Sequence, residues 1–219
     1  MIRVWYVVFV IVSIPVYAQL SSSENALRNY RNGRAEESAG NTALANRYYN
    51  EAIRLCTDDI KRNAATNDSY TILTWSLQRQ KKYHEVISWA ERGLQLFITE
   101  YRLCEIMGEA YFYLDDYGRS LQYMQYYVNN VPQDESVATA YFFMGDIFRL
   151  QRQYLKADIA YLTALQLRPG VTLWWYRLGV AREANTNYVE ALTAYEQVIR
   201  LDPNYPGAQA GINRCRRHL

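Results

Sequence analysis

Side chains able to do acid–base or nucleophilic chemistry are few in this chain and lie far apart. His84 and His218 are its two histidines. More than half the sequence separates them, and each reads as a solvated surface group. Cys56, Cys104 and Cys215 are odd in number and irregular in spacing, which suits neither a disulfide framework nor a metal site. Each reads as a small buried hydrophobe, with one disulfide as the alternative. Asp115-Asp116 falls between two apolar-periodic segments, where Asp favours a turn. Asn67-Asp68-Ser69 matches a glycosylation acceptor, but it also opens a helical segment, where capping explains it better. Arg214, Arg216 and Arg217 suit the C-terminal end of a helix. The glycines stand singly, so no phosphate-cradling loop is expected. No catalytic residue, cofactor or metal is assigned, and the chain is expected not to be an enzyme.

The 219 residues are 50% hydrophobic and 21% charged, enough for a packed core. A formal charge of +2 gives no drive toward nucleic acid. Ten glycines and five prolines argue against a turn-rich β protein. Met1-Ile2-Arg3 is a basic start, Val4 to Val16 is an uncharged apolar run, and Val16-Tyr17-Ala18 resembles a cleavage site. Residues 1–18 therefore read as a secretory signal peptide, which predicts a periplasmic or secreted protein. The alternative is an uncleaved anchor, although the run is short for a span of about 20 apolar residues. Membrane contact is expected only through residues 1–18, and only if they are uncleaved.

A fixed period organises the rest. Tyr49, Tyr83, Tyr117, Tyr154 and Tyr188 follow one another at steps of 34, 34, 37 and 34. Nine residues before each stands Gly40, Thr74, Gly108, Gly145 or Gly179, and three after stands Ala52, Val86, Ser120, Ala157 or Ala191. Glycine inside a helix costs about 1 kcal/mol relative to alanine. A recurring glycine therefore implies close approach of two helices. Tyr141, Met144, Gly145 and Phe148 form one helical stripe, and Ala157, Tyr161 and Ala164 form another. Each unit is then a helix–turn–helix hairpin whose apolar face needs a neighbour.

These residues resemble the tetratricopeptide repeat family, in its exported bacterial form. Trp175, Leu178, Gly179, Ala191, Tyr195 and Pro203 fit its pattern in the last unit. Tyr141, Gly145, Phe148, Ala157, Tyr161, Ala164 and Pro169 fit it in the unit before. The unit 67–100 departs most, with Thr74, Val86 and Ile98 at the usual Gly, Ala and Pro positions. The resemblance implies an all-α fold, a right-handed α-solenoid of five hairpins at 33–66, 67–100, 101–134, 138–171 and 172–205. Residues 19–32 are expected to be a linker and 206–219 a C-terminal capping segment.

In this family the first helices of successive units line a concave groove. Carried onto this chain, the resemblance implies a partner-binding row of Trp75, Arg79, Arg102, Glu105, Glu109, Phe112, Phe142, Asp146, Arg149 and Tyr176. The set of Lys and Asn that grips a C-terminal carboxylate in some members is missing. The function expected is an exported scaffold for protein–protein interaction, holding a protein or peptide segment in that groove. The alternative is a small-ligand-binding accessory protein of an envelope transport system that uses the aromatic groove as its pocket.

Overall fold

The computed structural model describes residues 22–219, so the expectations for residues 1–18 lie outside the described residues. The described residues form eleven helices and no strand. In chain order they are α1 (Ser22–Ser38), α2 (Thr42–Lys61), α3 (Asn67–Arg79), α4 (Tyr83–Leu96), α5 (Tyr101–Tyr113) and α6 (Tyr117–Asn130). They continue with α7 (Val137–Leu150), α8 (Tyr154–Leu167), α9 (Thr172–Ala184), α10 (Tyr188–Leu201) and α11 (Ala208–Arg216). None of them is long and apolar enough to cross a membrane.

Each of α1, α3, α5, α7 and α9 pairs with the helix that follows it in an antiparallel hairpin. The turns share one device. Lys81, Asp115, Arg152 and Thr186, each two residues before a second helix, adopt positive φ of 58–62°. That single left-handed residue reverses the chain, and short polar side chains tolerate it best. Asp116 then accepts the Arg119 N–H at 3.1 Å, capping α6. At α3 the cap is Thr66, one residue before the expected Asn67. Thr66 and Ser69 form a reciprocal capping box, and Asn67 instead donates to Glu100 at 2.9 Å.

The small-residue register is real in three units. A Cβ on Gly145 would lie 2.6 Å from the Tyr161 ring, on Gly179 2.8 Å from Tyr195, and on Gly108 2.9 Å from Met124. The first unit corrects the expected register. Its packing glycine is Gly33, where a Cβ would lie 2.6 Å from Tyr49. Gly40 is the turn residue, at φ +82°, with nothing packed on it. Tyr49 is therefore the counterpart of Tyr161 and Tyr195, not of the tyrosines that open second helices. The cause is the length of α2, 20 residues against 14 for α4, α6, α8 and α10. The first unit consequently begins upstream of residue 33. Residues 22–32 belong to α1 rather than to a linker, with Ala26 fully buried.

First helices touch the next first helix along the row, α1 to α3 and onward to α11. Second helices touch first helices only. The first helices therefore form the inner, concave wall and the second helices splay apart on the convex side. Core residues run continuously between them, including Leu73, Met107, Ile147 and Leu178. The three cysteines are buried and unpaired in this core. Burial, and then the nearby Asp59, pushes the Cys56 thiol up to about 12.

Candidate binding groove

The expected groove residues divide by their position relative to the small residue of each first helix. Three residues before it lie Thr71, Glu105, Phe142 and Tyr176. At this position Thr71, Glu105 and Phe142 are buried and Tyr176 is half-buried. Phe142 is 8% exposed and stacks on Trp174 of the following unit at 5.3 Å. Tyr176 packs on Tyr195 and Tyr205, at 5.8 and 5.2 Å. Phe142 is thus a core residue between units, which corrects its assignment to the groove surface. Asp146, one residue past Gly145, is likewise buried. Phe112 is half-buried against Phe143, edge to face at 5.0 Å.

Trp75, Arg79, Arg102, Glu109 and Arg149 keep part of their surface on the inner wall. Trp75 lies against Tyr30 at 5.4 Å, with the Arg102 guanidinium 5.8 Å from its ring. Arg102 also pairs with Asp68 at 2.8 Å and with Glu100 at 2.5 Å. The most open inner-wall positions lie five residues after the small residue, at Arg79, Tyr113 and Leu150. Tyr113 is 49% exposed and stacks on Tyr83 at 4.9 Å. Tyr83 and Phe143 were absent from the expected groove. Tyr83 belongs to a second helix, and its approach depends on the turn geometry rather than on the stripe of a first helix.

Three joints between units carry the same interlock, built from a carboxylate, a tyrosine hydroxyl and a guanidinium. Tyr49 donates to Glu37 at 2.8 Å, and Arg79 of the next unit grips Glu37 at 2.9 and 2.7 Å. Tyr161 donates to Asp146 at 2.6 Å, with Arg149 at 3.0 Å and Arg177 of the next unit at 3.6 Å. Tyr195 donates to Glu183 at 2.7 Å, and Arg214 of α11 closes on it at 2.5 and 2.8 Å. The Arg79 bond holds Glu37 below the usual carboxylate range, and the Arg214 bond does the same for Glu183.

The middle joints differ. Gln78 donates to Glu109, at the same 31-residue spacing that joins Glu183 to Arg214. Phe112 meets Phe143 across the next joint. Glu105 and Glu109 sit one turn apart on one face of α5, with Glu105 only 9% exposed. Burial, then the charge of Glu109, holds Glu105 well above the ordinary carboxylate range, and burial raises Glu109 as well. Two interacting carboxyls of this kind titrate as a pair.

Stacked hairpins with a small residue at the helix crossing and a tyrosine packed on it define a class of repeat solenoid. Family comparison names it: models described as tetratricopeptide repeat match residues 138–170 and 172–205. The chain is a tetratricopeptide repeat protein. Among solved structures, a MamA structure aligns with TM-score 0.62 at 18% identity, covering 85% of this chain and 95% of that one. Another, a MamA double mutant, gives 0.64 at 16%, covering 84% and 97%. YrrB, described as a TPR protein with an unusual peptide-binding site, gives 0.58 at 18%, covering 87% and 93%. At these identities the likeness shows the fold. No curated protein matches the sequence.

Proposed function

We propose that this chain is an exported scaffold that holds an extended segment of a protein partner along its concave wall. The observation that carries this reading is the continuous row of first helices, whose open positions present Arg79, Tyr113 and Leu150 beside the half-buried Trp75 and Glu109. Aromatic and Arg side chains favour interface anchoring, and a preformed rigid wall lowers the entropic cost of docking. The peptide site described for YrrB supports a peptide-sized occupant for this fold. The export half of the proposal rests on the basic start and apolar run of residues 1–18.

Two measurements test it. A photo-cross-linking residue placed at Tyr113 should capture a partner from envelope extract, and the same residue at the exposed convex position Leu155 should not. Equal yields from both positions would sink the groove reading. The intact mass of the exported protein should correspond to a chain starting at Gln19. Retention of Met1 in a membrane fraction would replace export by anchoring.

A further inference from the structure

The five joints along the inner wall are not chemically equal. Three hold a guanidinium against a carboxylate: Arg79 on Glu37, Arg177 beside Asp146, and Arg214 on Glu183. At the joint of α3 and α5 the polarity is inverted. The carboxylate, Glu109, stands where Arg214 stands in the last joint, and the neutral amide of Gln78 faces it. Its neighbour Glu105, one turn away on α5, is nine-tenths buried.

The groups facing this pair do not supply the missing cation. Arg79 on α3 is near enough to act on Glu109, but its Nε and Nη2 both bond to Glu37. Asp134, from the loop before α7, adds a further negative charge beside Glu105 and accepts from Tyr127 of α6 at 2.5 Å. Asp146 of α7 acts on Tyr113 and is bound by Arg149. Beside the pair lies the Tyr83–Tyr113 stack, whose phenols both feel the charge of Glu109. Tyr113 is about half exposed, so aromatic surface stands open beside carboxyls that form no ion pair among the described residues. Carboxylate and aromatic face together recognise Arg and Lys side chains.

Resting on the scaffold reading above, we infer that the middle of the concave wall selects a partner segment carrying one basic side chain, its guanidinium or ammonium seated on Glu109 and Glu105 against Tyr113. The incoming cation supplies what Arg214 supplies in the last joint. It also favours ionisation of both carboxyls, so a proton retained by this buried pair leaves to solvent on binding. Affinity therefore rises with pH until the pair is fully ionised.

The test is selection of acetylated, amidated random nonapeptides on the immobilised protein, followed by substitution of each selected peptide. The selected peptides are expected to share an Arg or Lys, and citrulline at that position should weaken binding at least about tenfold. Glu105→Gln/Glu109→Gln should abolish the preference for Arg over citrulline while leaving residual binding. It removes like charge, and circular dichroism should show wild-type helicity. Calorimetry in buffers of different ionisation enthalpy should register proton release for wild type and none for the double variant. Selected peptides without a basic residue, an unchanged preference in the double variant, no selected peptide at all, or equal competition by free spermidine would each overturn the inference. Basic-free peptides that still cross-link at Tyr113 would leave the scaffold reading standing. Failure of partner capture at Tyr113 would remove the scaffold reading itself.

Discussion

At the scale of single residues, the tightest constraints are steric. The Cβ missing from Gly145 would press on a ring that cannot retreat, because Tyr161 is buried and its hydroxyl is held by Asp146. The Cβ missing from Gly108 would meet the flexible side chain of Met124. Gly145→Ala is therefore expected to cost about 1–3 kcal/mol, and Gly108→Ala clearly less. Gln151→Leu, at an exposed turn, should cost under about 0.5 kcal/mol. Urea midpoints for the three variants check the order, and equal midpoints for Gly145→Ala and Gln151→Leu would refute it. Thr186 presents the opposite case, a β-branched residue held at φ 62°. Thr186→Asn should stabilise the protein by about 0.5–1 kcal/mol, since Asn enters the left-handed region readily. A lower midpoint for that variant would show that the threonine makes a contact outweighing its backbone strain. The recurring small residue was legible in the sequence because it breaks helix propensity. Its place in the first unit was not, because Gly33 and Gly40 are both glycines and only backbone conformation separates a packing glycine from a turn glycine.

At the scale of elements, charge placement decides how the helices respond to pH. Glu105 and Glu109 have raised folded-state values, so the stability they contribute is present below the ordinary carboxylate value and lost as pH rises through the raised ones. Glu183 and Glu37 have depressed values, so their contribution is present above the ordinary value and lost as pH falls through the depressed ones. Glu105→Gln should therefore gain thermal stability relative to wild type as pH is raised from about 5 to 8. Glu183→Gln should lose its deficit as pH is lowered below about 4. Parallel melting-temperature profiles for wild type and variant would refute either assignment. Helix boundaries were readable where the period held, from α3 onward. The length of α2 was hidden, because its extra turns displaced Tyr49 by an amount that still produced a 34-residue step to Tyr83. The groove was legible as a set of helices, not as a set of exposed side chains. Phe142 and Phe112 share the residue type of an anchor, but their exposure depends on which neighbouring helix covers them, and the stripe of one helix does not carry that information. Phe142→Ala should accordingly lower the melting temperature, as expected for a large core truncation of about 3–5 kcal/mol. Leu150→Ala, at an open inner-wall position, should leave it nearly unchanged.

At the scale of the whole molecule, each unit leans only on its neighbours, so the joints determine how the solenoid behaves as a body. Those at either end are tied by a tyrosine, a carboxylate and an arginine, whereas those in the middle are joined by an amide–carboxylate bond and an aromatic contact. Mechanically the chain is a beam of uneven stiffness, with rigid ends and a compliant waist. Bending strain in such a beam gathers at the waist, so the inner wall is expected to widen or narrow between α3 and α7 while both ends keep their shape. Distance distributions between spin labels across α3 and α7 should be broader than those across α7 and α11. Seating a segment at the waist would then act as a splint, stiffening the molecule along its full length from a single point of contact.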